Sequence, residues 1–300
     1  MLIHLIINTD SPDAVAALRE GVRALRTKGH EVRPHLTFEG GDAERFARAA
    51  IGVEADLVVA AGGDGTVNEV LNGLAGPLES GGSSPRLGLV PLGTANDLAE
   101  ELGIPRDPRQ ALMLAATGPA HPVDVASVND RLFLNVSTGG VAAEVTGETS
   151  DELKRLLGPV AYAITGLRKV AGLRPSTGRF SSGGETVYDG EFLVFAVGNA
   201  RRTGGGNRLT GEAEMKDGLL DLCIVQGMTL LDFVKIAPQL RTGTHVDHPQ
   251  VVYRRLPSVL VETAEPVQVN ADGEPLSDSR FDYRLTRRRL ELVAARAPDA

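Results

Sequence analysis

The first 120 residues alternate short apolar runs with amphipathic stretches four times over, and this rhythm restricts the possible folds more than any other feature. LIHLII is the first apolar run. Pro12 then stands where a first helical residue would, and Val15, Leu18, Val22 and Leu25 recur at helical spacing until Gly29 closes the helix. EVRPHLT reads as a second strand, with Ala43, Phe46, Ala47, Ala50 and Ile51 marking the helix after it. DLVVAA is a third strand, followed by a helix carrying Val67, Val70, Leu71 and Leu74; RLGLVP is a fourth, followed by NDLAEEL. Strand–helix units in series point to a parallel sheet covered on both faces, whose ligands bind at the carboxyl ends of the strands.

From about Pro122 the texture changes. DVASVNDRLFLNVS reads as a hairpin turning at Asn129 and Asp130, and YDGEFLVFAVGN, KDGLLDLCIV and PVQVNADGEPL as strands joined to Asp-Gly turns. One helical insert, DELKRLLGPVAYAITGLRKV, interrupts them, and SSGGE and RRTGGGNRLTG read as mobile glycine-rich loops. The expected fold class is α/β: an N-terminal parallel-sheet domain plus a C-terminal antiparallel β-rich, sandwich-like domain, with the site in the cleft between them.

At 300 residues with 42% hydrophobic content the chain can bury two ordinary cores. Its net charge of -8 and pI near 5.3 argue against a nucleic-acid partner. ArgArgArg at 287–289 is the densest basic run and reads as a solvated strand edge. The lone Cys223 excludes an internal disulfide and reads as core packing. MLIHLIINTDS carries no export-signal features and no window reaches about 18 apolar residues, so a cytoplasmic protein without a transmembrane segment is expected.

The chemistry concentrates where the third strand ends, in AGGDGTVNEV. The Rossmann fingerprint would require glycine at position 68, which is Asn68, and the P-loop's Gly-Lys occurs nowhere. Gly62, Gly63 and Gly65 nevertheless let backbone N–H groups approach a ligand, and a helix starting near Thr66 would add its positive dipole end. Thr66 and Glu69 have capping-box spacing. Asp64 facing phosphate implies an intervening divalent cation. LVPLGTANDLAEEL repeats the logic, with a helix starting near Asn96 and a second box at Thr94 and Asp97, so two helix N-termini would form a two-sided anion cradle. His245 and His248 in HVDH read as a loop beside Pro249 rather than a metal pair.

AGGDGTVNEV followed by PLGTANDLAEELGIP resembles the diacylglycerol-kinase catalytic domain of bacterial lipid kinases, in the YegS branch. LTFEGGDA, NVSTGGVAAEVT, GNARRTGGGNRL, KDGLLDL and NADGEPL carry the resemblance through essentially the whole chain in the same order. GGDGT alone is shared with NAD kinases and phosphofructokinases; LGTANDLA and the downstream set make the match specific.

The resemblance implies an ATP-dependent, Mg²⁺-dependent kinase (Ca²⁺ in its place is the alternative) whose acceptor is a lipid at or from the membrane surface. The stretch Gly63, Asp64, Gly65, Thr66, Val67, Asn68 and Glu69 would hold the ATP phosphates, with Thr37 and Thr94 also touching nucleotide. A metal would be held near Asp217 by that carboxylate and by backbone oxygens of Glu214 and Leu219, although Asp-Gly before a strand is by itself a plain hairpin turn and EAEMKDG is more acidic than the family's pattern. The family's general base is the Glu of an Asp-Gly-Glu turn. YDGE ends at Glu191 and ADGE at Glu274; alone, either reads as a turn followed by a solvated carboxylate, but VNADGEPL matches the family, which selects Glu274 with Asp272 beside it. The last segment would fold back, so residues 287–300 join 1–122 as the nucleotide-binding domain and 123–286 supply the base and the acceptor-lipid site. Two rivals stand beside this reading. One is a kinase of a soluble acceptor such as NAD, which LGTANDLA speaks against. The other is a non-catalytic lipid- or nucleotide-binding regulator, which would have no need of Asp64, Asp217 and Glu274 together.

Overall fold

The computed structural model describes residues 1–140, 175–202, 208–228, 232, 236, 239–240 and 242–298. The expected helical insert DELKRLLGPVAYAITGLRKV and the centre of the RRTGGGNRLTG loop lie outside those residues. The chain divides into two compact units: Met1–Leu134 with Glu214–Gly218 and Leu285–Ala300, and Asn135–Ala213 with Leu219–Arg284.

The first unit is built on a sheet of β1 (Leu2–Ile7), β2 (Glu31–Leu36), β3 (Leu57–Gly62), β4 (Arg86–Pro91), β5 (Ala120–Val123) and, from the far end of the sequence, β15 (Leu290–Val293). Their order is β2-β1-β3-β4-β15-β5. All neighbours are parallel except β15 and β5. Burial follows from that order. Every residue of central β3 is buried, whereas edge strand β2 is mostly exposed and tolerates Pro34, whose missing N–H would break an inner ladder. RLELVAA thus completes this sheet, and its first residue, Arg289, is no solvated edge: its guanidinium donates to Asp124 at 2.7 Å and to the Lys216 carbonyl at 2.5 Å.

Helix α1 (Pro12–Thr27) is capped by Ser11, which accepts the Ala14 N–H at 3.3 Å, and α2 (Asp42–Gly52) buries Ala43, Ala47 and Ala50. After β3 come α3 (Asp64–Gly73) and α4 (Ala75–Ser80); after β4 come α5 (Asp97–Glu101) and α6 (Pro108–Thr117). Sequence reasoning overlooked α6, although Asp107 as N-cap, accepting the Gln110 N–H at 2.7 Å, and Pro108 after it announce a helix. β6 (Ala126–Val128) and β7 (Arg131–Phe133) form the expected hairpin, with Asn129 at φ 51°.

The second unit is antiparallel: β8 (Val136–Gly140), β9 (Ser176–Ser182), β10 (Glu185–Gly198), β11 (Leu220–Gln226), β12 (Val251–Leu256), β13 (Ser258–Ala271) and β14 (Glu274–Leu285). Strands β10 and β13 each pair with both β8 and β9, so these four close on themselves. Phe180, Phe192, Phe195 and Phe281 are fully buried there, with the first three packed edge to face at centroid distances of 5.3–5.6 Å. The buried Tyr283 hydroxyl finds Ser137 at 3.0 Å. Cys223 packs in a neighbouring apolar cluster, where burial pushes its thiol up to about 12.

Two loop expectations are corrected. SSGGE is a tight two-residue hairpin between β9 and β10, with Gly183 and Gly184 both at positive φ. Asp189 and Gly190 are no turn at all: they lie inside the continuous strand β10, paired with Arg179 and Gly178 of β9. Among the described residues no helix is long and apolar enough to cross a membrane.

Candidate active site

At the carboxyl edge of the first sheet the strand ends follow one another in the order β2, β1, β3, β4. The Thr37 N–H donates to the Ile7 carbonyl at 3.0 Å, Asn8 to Ala61 at 2.8 Å, and Leu92 to Gly62 at 2.9 Å. Thr37, Asn8, Gly63 and Gly93 therefore line up along one rim.

The three glycines of the knot have three different reasons. A Cβ on Gly62 would lie 2.3 Å from the Thr66 hydroxyl; one on Gly63 would lie 3.3 Å from the Gly93 Cα, and one on Gly93 only 2.5 Å from the Gly63 Cα, so the two glycine stretches touch backbone to backbone. Gly65 has open space around it, and nothing in the fold excludes a side chain there. Glycine inside a helix is unfavourable by roughly 0.5–1 kcal/mol relative to alanine, so neither packing nor helix propensity accounts for Gly65, which leaves the N–H groups of this helix start bare.

The helix begins earlier than the sequence suggests. Gly63, extended at φ -88° and ψ -173°, is the N-cap and Asp64 the first helical residue, with no side-chain cap. The Thr66–Glu69 capping box therefore does not form. Thr66 is buried and its hydroxyl accepts from Asn8 Nδ2 at 3.0 Å, while the Glu69 carboxylate accepts the Ala43 N–H at the start of α2 at 3.2 Å. Asn68 donates to the Leu132 carbonyl at 3.1 Å, beside Asn72. The side chains of Thr66, Asn68 and Glu69 thus tie α3 into its own unit, and Val67 is half-buried.

The second stretch is also corrected. Asn96 takes the left-handed conformation at φ 54° and α5 has five residues and no side-chain cap, so Thr94 and Asp97 form no box and one helix start, not two, offers a dipole. Asn96 instead closes the loop: its Oδ1 accepts the Gly93 N–H at 3.0 Å and its Nδ2 donates to the Gly93 carbonyl at 2.6 Å. Its own N–H donates to the Asp64 carboxylate at 3.0 Å. Asp64 is thus a half-buried clamp joining the two stretches rather than a residue on an exposed loop. Burial pushes its carboxyl above the usual carboxylate range and Asp97 adds to this, while the Asn96 hydrogen bond opposes it. Gly63, Asp64, Val67 and Asn96 line a small pocket between the stretches together with apolar Leu89 and Leu98; Thr94 is exposed and is not part of that lining. Sequence reasoning missed Asn8 as a site residue and took Asn96 only for a helix start; an asparagine at a strand end or in an Asn-Asp loop was the available signal.

Asp217 and Glu214 belong to the segment Glu214–Gly218 of the first unit, and Leu219 begins the return to the second. The peptides flanking Asp217 are pinned: Gly218 N–H donates to Asp124 at 2.8 Å, and Arg289 bonds both Asp124 and the Lys216 carbonyl. Among the described residues no three His, Cys, Asp or Glu side chains gather as a metal site. A cation here would therefore lean on carbonyl oxygens beside the Asp217 carboxylate. Such an all-oxygen set suits Mg²⁺ or Ca²⁺ and not a thiolate-seeking metal.

In the second unit Asp272, at φ 48°, and Gly273, at φ 97°, make the two-residue turn between β13 and β14. Both Asp272 oxygens accept the Asn135 N–H, at 3.2 and 3.0 Å, and one also accepts that of Val136 at 3.1 Å. Glu274 follows, half-buried, its carboxylate without a hydrogen-bond or ion-pair partner among the described residues. Glu191 is exposed in mid-strand, its carbonyl accepting from Gly227 at 2.7 Å. His245 is fully buried between the Leu209 and Gln239 carbonyls, where burial lowers its pKa, and His248 accepts the Gln250 N–H.

Two family descriptions match this arrangement: the diacylglycerol kinase catalytic domain over residues 3–128 and the YegS C-terminal NAD kinase beta sandwich-like domain over residues 135–294. A protein of Alcanivorax borkumensis called "Probable lipid kinase YegS-like" is 39% identical over 278 residues, 92% of this chain and 91% of its own. One of Pseudomonas aeruginosa with the same name is 40% identical over 269 residues, 90% of this chain and 86% of its own. A crystal structure described as "a putative diacylglycerol kinase from Bacillus anthracis str. Sterne" superposes with a TM-score of 0.80 at 27% identity, over 97% of this chain and 94% of that one. The chain belongs to the diacylglycerol kinase catalytic-domain family, in its YegS-like branch.

Proposed function

We propose that this chain is an ATP-dependent lipid kinase, transferring the γ-phosphoryl group to a hydroxyl of a glycerolipid or related lipid. The observation that carries the reading is the bare helix start at Gly65, beside two glycine stretches in backbone contact, in a chain of this family. The names of the curated relatives favour a lipid over a soluble acceptor such as NAD.

The N–H groups from Gly63 to Thr66 would bind the ATP phosphates, with Asp64 and Asn96 holding the two stretches in register and Thr37 and Thr94 flanking the nucleotide. Phosphoryl transfer asks for positioning and charge neutralisation more than covalent help from the protein. Asp217, with the carbonyls of Glu214 and Leu219, would hold a divalent cation, Mg²⁺ in the first place, which when bound supplies positive charge against the phosphates. In the reaction the acceptor oxygen bonds to the γ-phosphorus while the bond to the β,γ-bridging oxygen breaks, and ADP leaves with that electron pair. Glu274 would take the acceptor's proton, a contribution of roughly 10²–10⁴-fold.

The test is labelled ATP offered with diacylglycerol, phosphatidylglycerol or a sphingoid base in mixed micelles, and separately with NAD, with products resolved by chromatography. Label entering a lipid is the expected result. Label entering only NAD, or ATP binding without any transfer, would replace this reading with one of its two rivals.

A further inference from the structure

Phe38 is 87% exposed, well beyond the other exposed large apolar residues, Met1, Leu36 and Val53. It does not stand on a slack loop. The Phe38 N–H donates to the Asp42 carboxylate at 2.9 Å, the Glu39 N–H to the same oxygen at 3.4 Å, and Arg45 holds the other oxygen at 2.7 Å. Asp42 itself is buried, and the Phe38 hydrogen bond holds its carboxyl below the usual range, so the clamp stays ionised at neutral pH. On the other side, both the N–H and the hydroxyl of Thr37 bond to the Ile7 carbonyl. A buried carboxylate, an arginine and three backbone groups are thus arranged to hold a phenyl ring out in water, the opposite of what burial of apolar surface favours.

The ring's position suggests what covers it. It stands two residues beyond the end of β2, on the rim that carries Asn8 at the end of β1 and Gly63–Gly65 at the end of β3. Strands lie about 4.8 Å apart, so Phe38 stands about 10 Å along the rim from the phosphate-binding glycines. That is the reach of a nucleoside triphosphate from its phosphates to its base. An exposed aromatic face stacks on any nucleobase by its π-surface, without reading hydrogen-bonding edges.

We propose that Phe38 is the stacking platform for the base of the phosphoryl donor, with purines of either kind accepted because the ring reads surface rather than donors and acceptors. The proposal rests on the nucleotide reading of the glycine stretches. A membrane surface is the rival occupant of the same ring.

The sequence contains no tryptophan, so Phe38→Trp creates a lone fluorescent reporter at the site. ATP, GTP and inorganic tripolyphosphate are titrated calorimetrically into the wild type, Phe38→Ala and Phe38→Trp, with thermal melts as a folding control. The expected result is that Phe38→Ala binds ATP and GTP roughly 5- to 150-fold more weakly, binds tripolyphosphate as the wild type does, and melts unchanged. Phe38→Trp should retain ATP affinity, with emission shifted by ATP and not by tripolyphosphate. If ATP binds the wild type and Phe38→Ala equally, the stacking role is wrong while the nucleotide reading survives. Failure of the wild type to bind ATP or tripolyphosphate removes both. Indole emission from Phe38→Trp that responds to vesicles of phosphatidylglycerol and not to ATP assigns the ring to the membrane and overturns the proposal.

Discussion

Asp64 opens a helix in the first unit, and Asp272 turns a hairpin in the second; each is followed by glycine. In the structure both spend their oxygens on backbone N–H groups distant in sequence, Asp64 on Asn96 and Asp272 on Asn135 and Val136. The group left open is in both cases a neighbour: the bare backbone at Gly65, and the carboxylate of Glu274, unpartnered among the described residues. They differ in how firmly they hold. Asp272 accepts from the adjacent Asn135 and Val136 peptides and occupies a left-handed conformation that few residues tolerate, whereas Asp64 accepts from the Asn96 peptide and its charge is disfavoured by burial. The Asp272 turn is therefore the more firmly built of the two.

The firmest test of that contrast is Asp272→Ala. Two N–H groups lose their acceptor and alanine is forced to positive φ, so stability should fall by about 2–3 kcal/mol in urea denaturation. A loss below about 0.5 kcal/mol would make the two aspartates alike. Gly93→Ala comes next: its Cβ must displace the Gly63 backbone, and a loss of about 1–3 kcal/mol is expected, with ATP affinity falling alongside. Gly65→Ala should separate the two properties. With open space around it the variant should melt no lower than the wild type, while ATP affinity drops roughly tenfold as N–H groups are screened. An undiminished ATP affinity would show that bare N–H groups there bind no phosphate.

Asp64→Asn is the smallest effect on folding. Asparagine still accepts the Asn96 N–H and carries no charge, so at neutral pH the change in stability should be within about 0.5 kcal/mol, and in the stabilising direction. The sign follows from the raised folded pKa: the folded state holds the Asp64 proton more tightly than the unfolded chain does. Wild-type stability therefore falls as pH rises through the range above 3.8, and the variant escapes that loss. Melts of both proteins at about pH 4 and pH 7 check this; an advantage of the variant that grows towards acid would contradict it.

The fold was largely legible because its signals are local. Apolar runs before Gly62 and Pro91 announce buried parallel strands, and Asp272-Gly273 announces a two-residue turn. What was not legible depends on residues distant in sequence. The start of α3 at Asp64 is set by an extended Gly63 pressed against Gly93, and no capping pattern inside AGGDGTVNEV reveals that contact. The same holds for Asp189-Gly190, a turn signal overruled because β9 offers a partner for both residues. Arg289 looked like one of three solvated charges until its pairing with Asp124, 165 residues earlier, was in view. The candidate site shows the same split: its glycines could be found from sequence, while the roles of Asn8, Asn96 and Asp64 rest on tertiary hydrogen bonds.

The central claim, that the turn after Asp272 exists to aim Glu274 at an acceptor hydroxyl, is tested most directly by transfer of label from ATP to lipid by Glu274→Gln beside Glu191→Gln. Glutamine keeps the shape and removes the proton acceptor. The account predicts that Glu274→Gln loses about 10²-fold or more in turnover with unchanged ATP affinity and melting temperature, and that Glu191→Gln, altered in mid-strand, retains full activity. Equal activity of Glu274→Gln and the wild type, or a crippled Glu191→Gln, would contradict it.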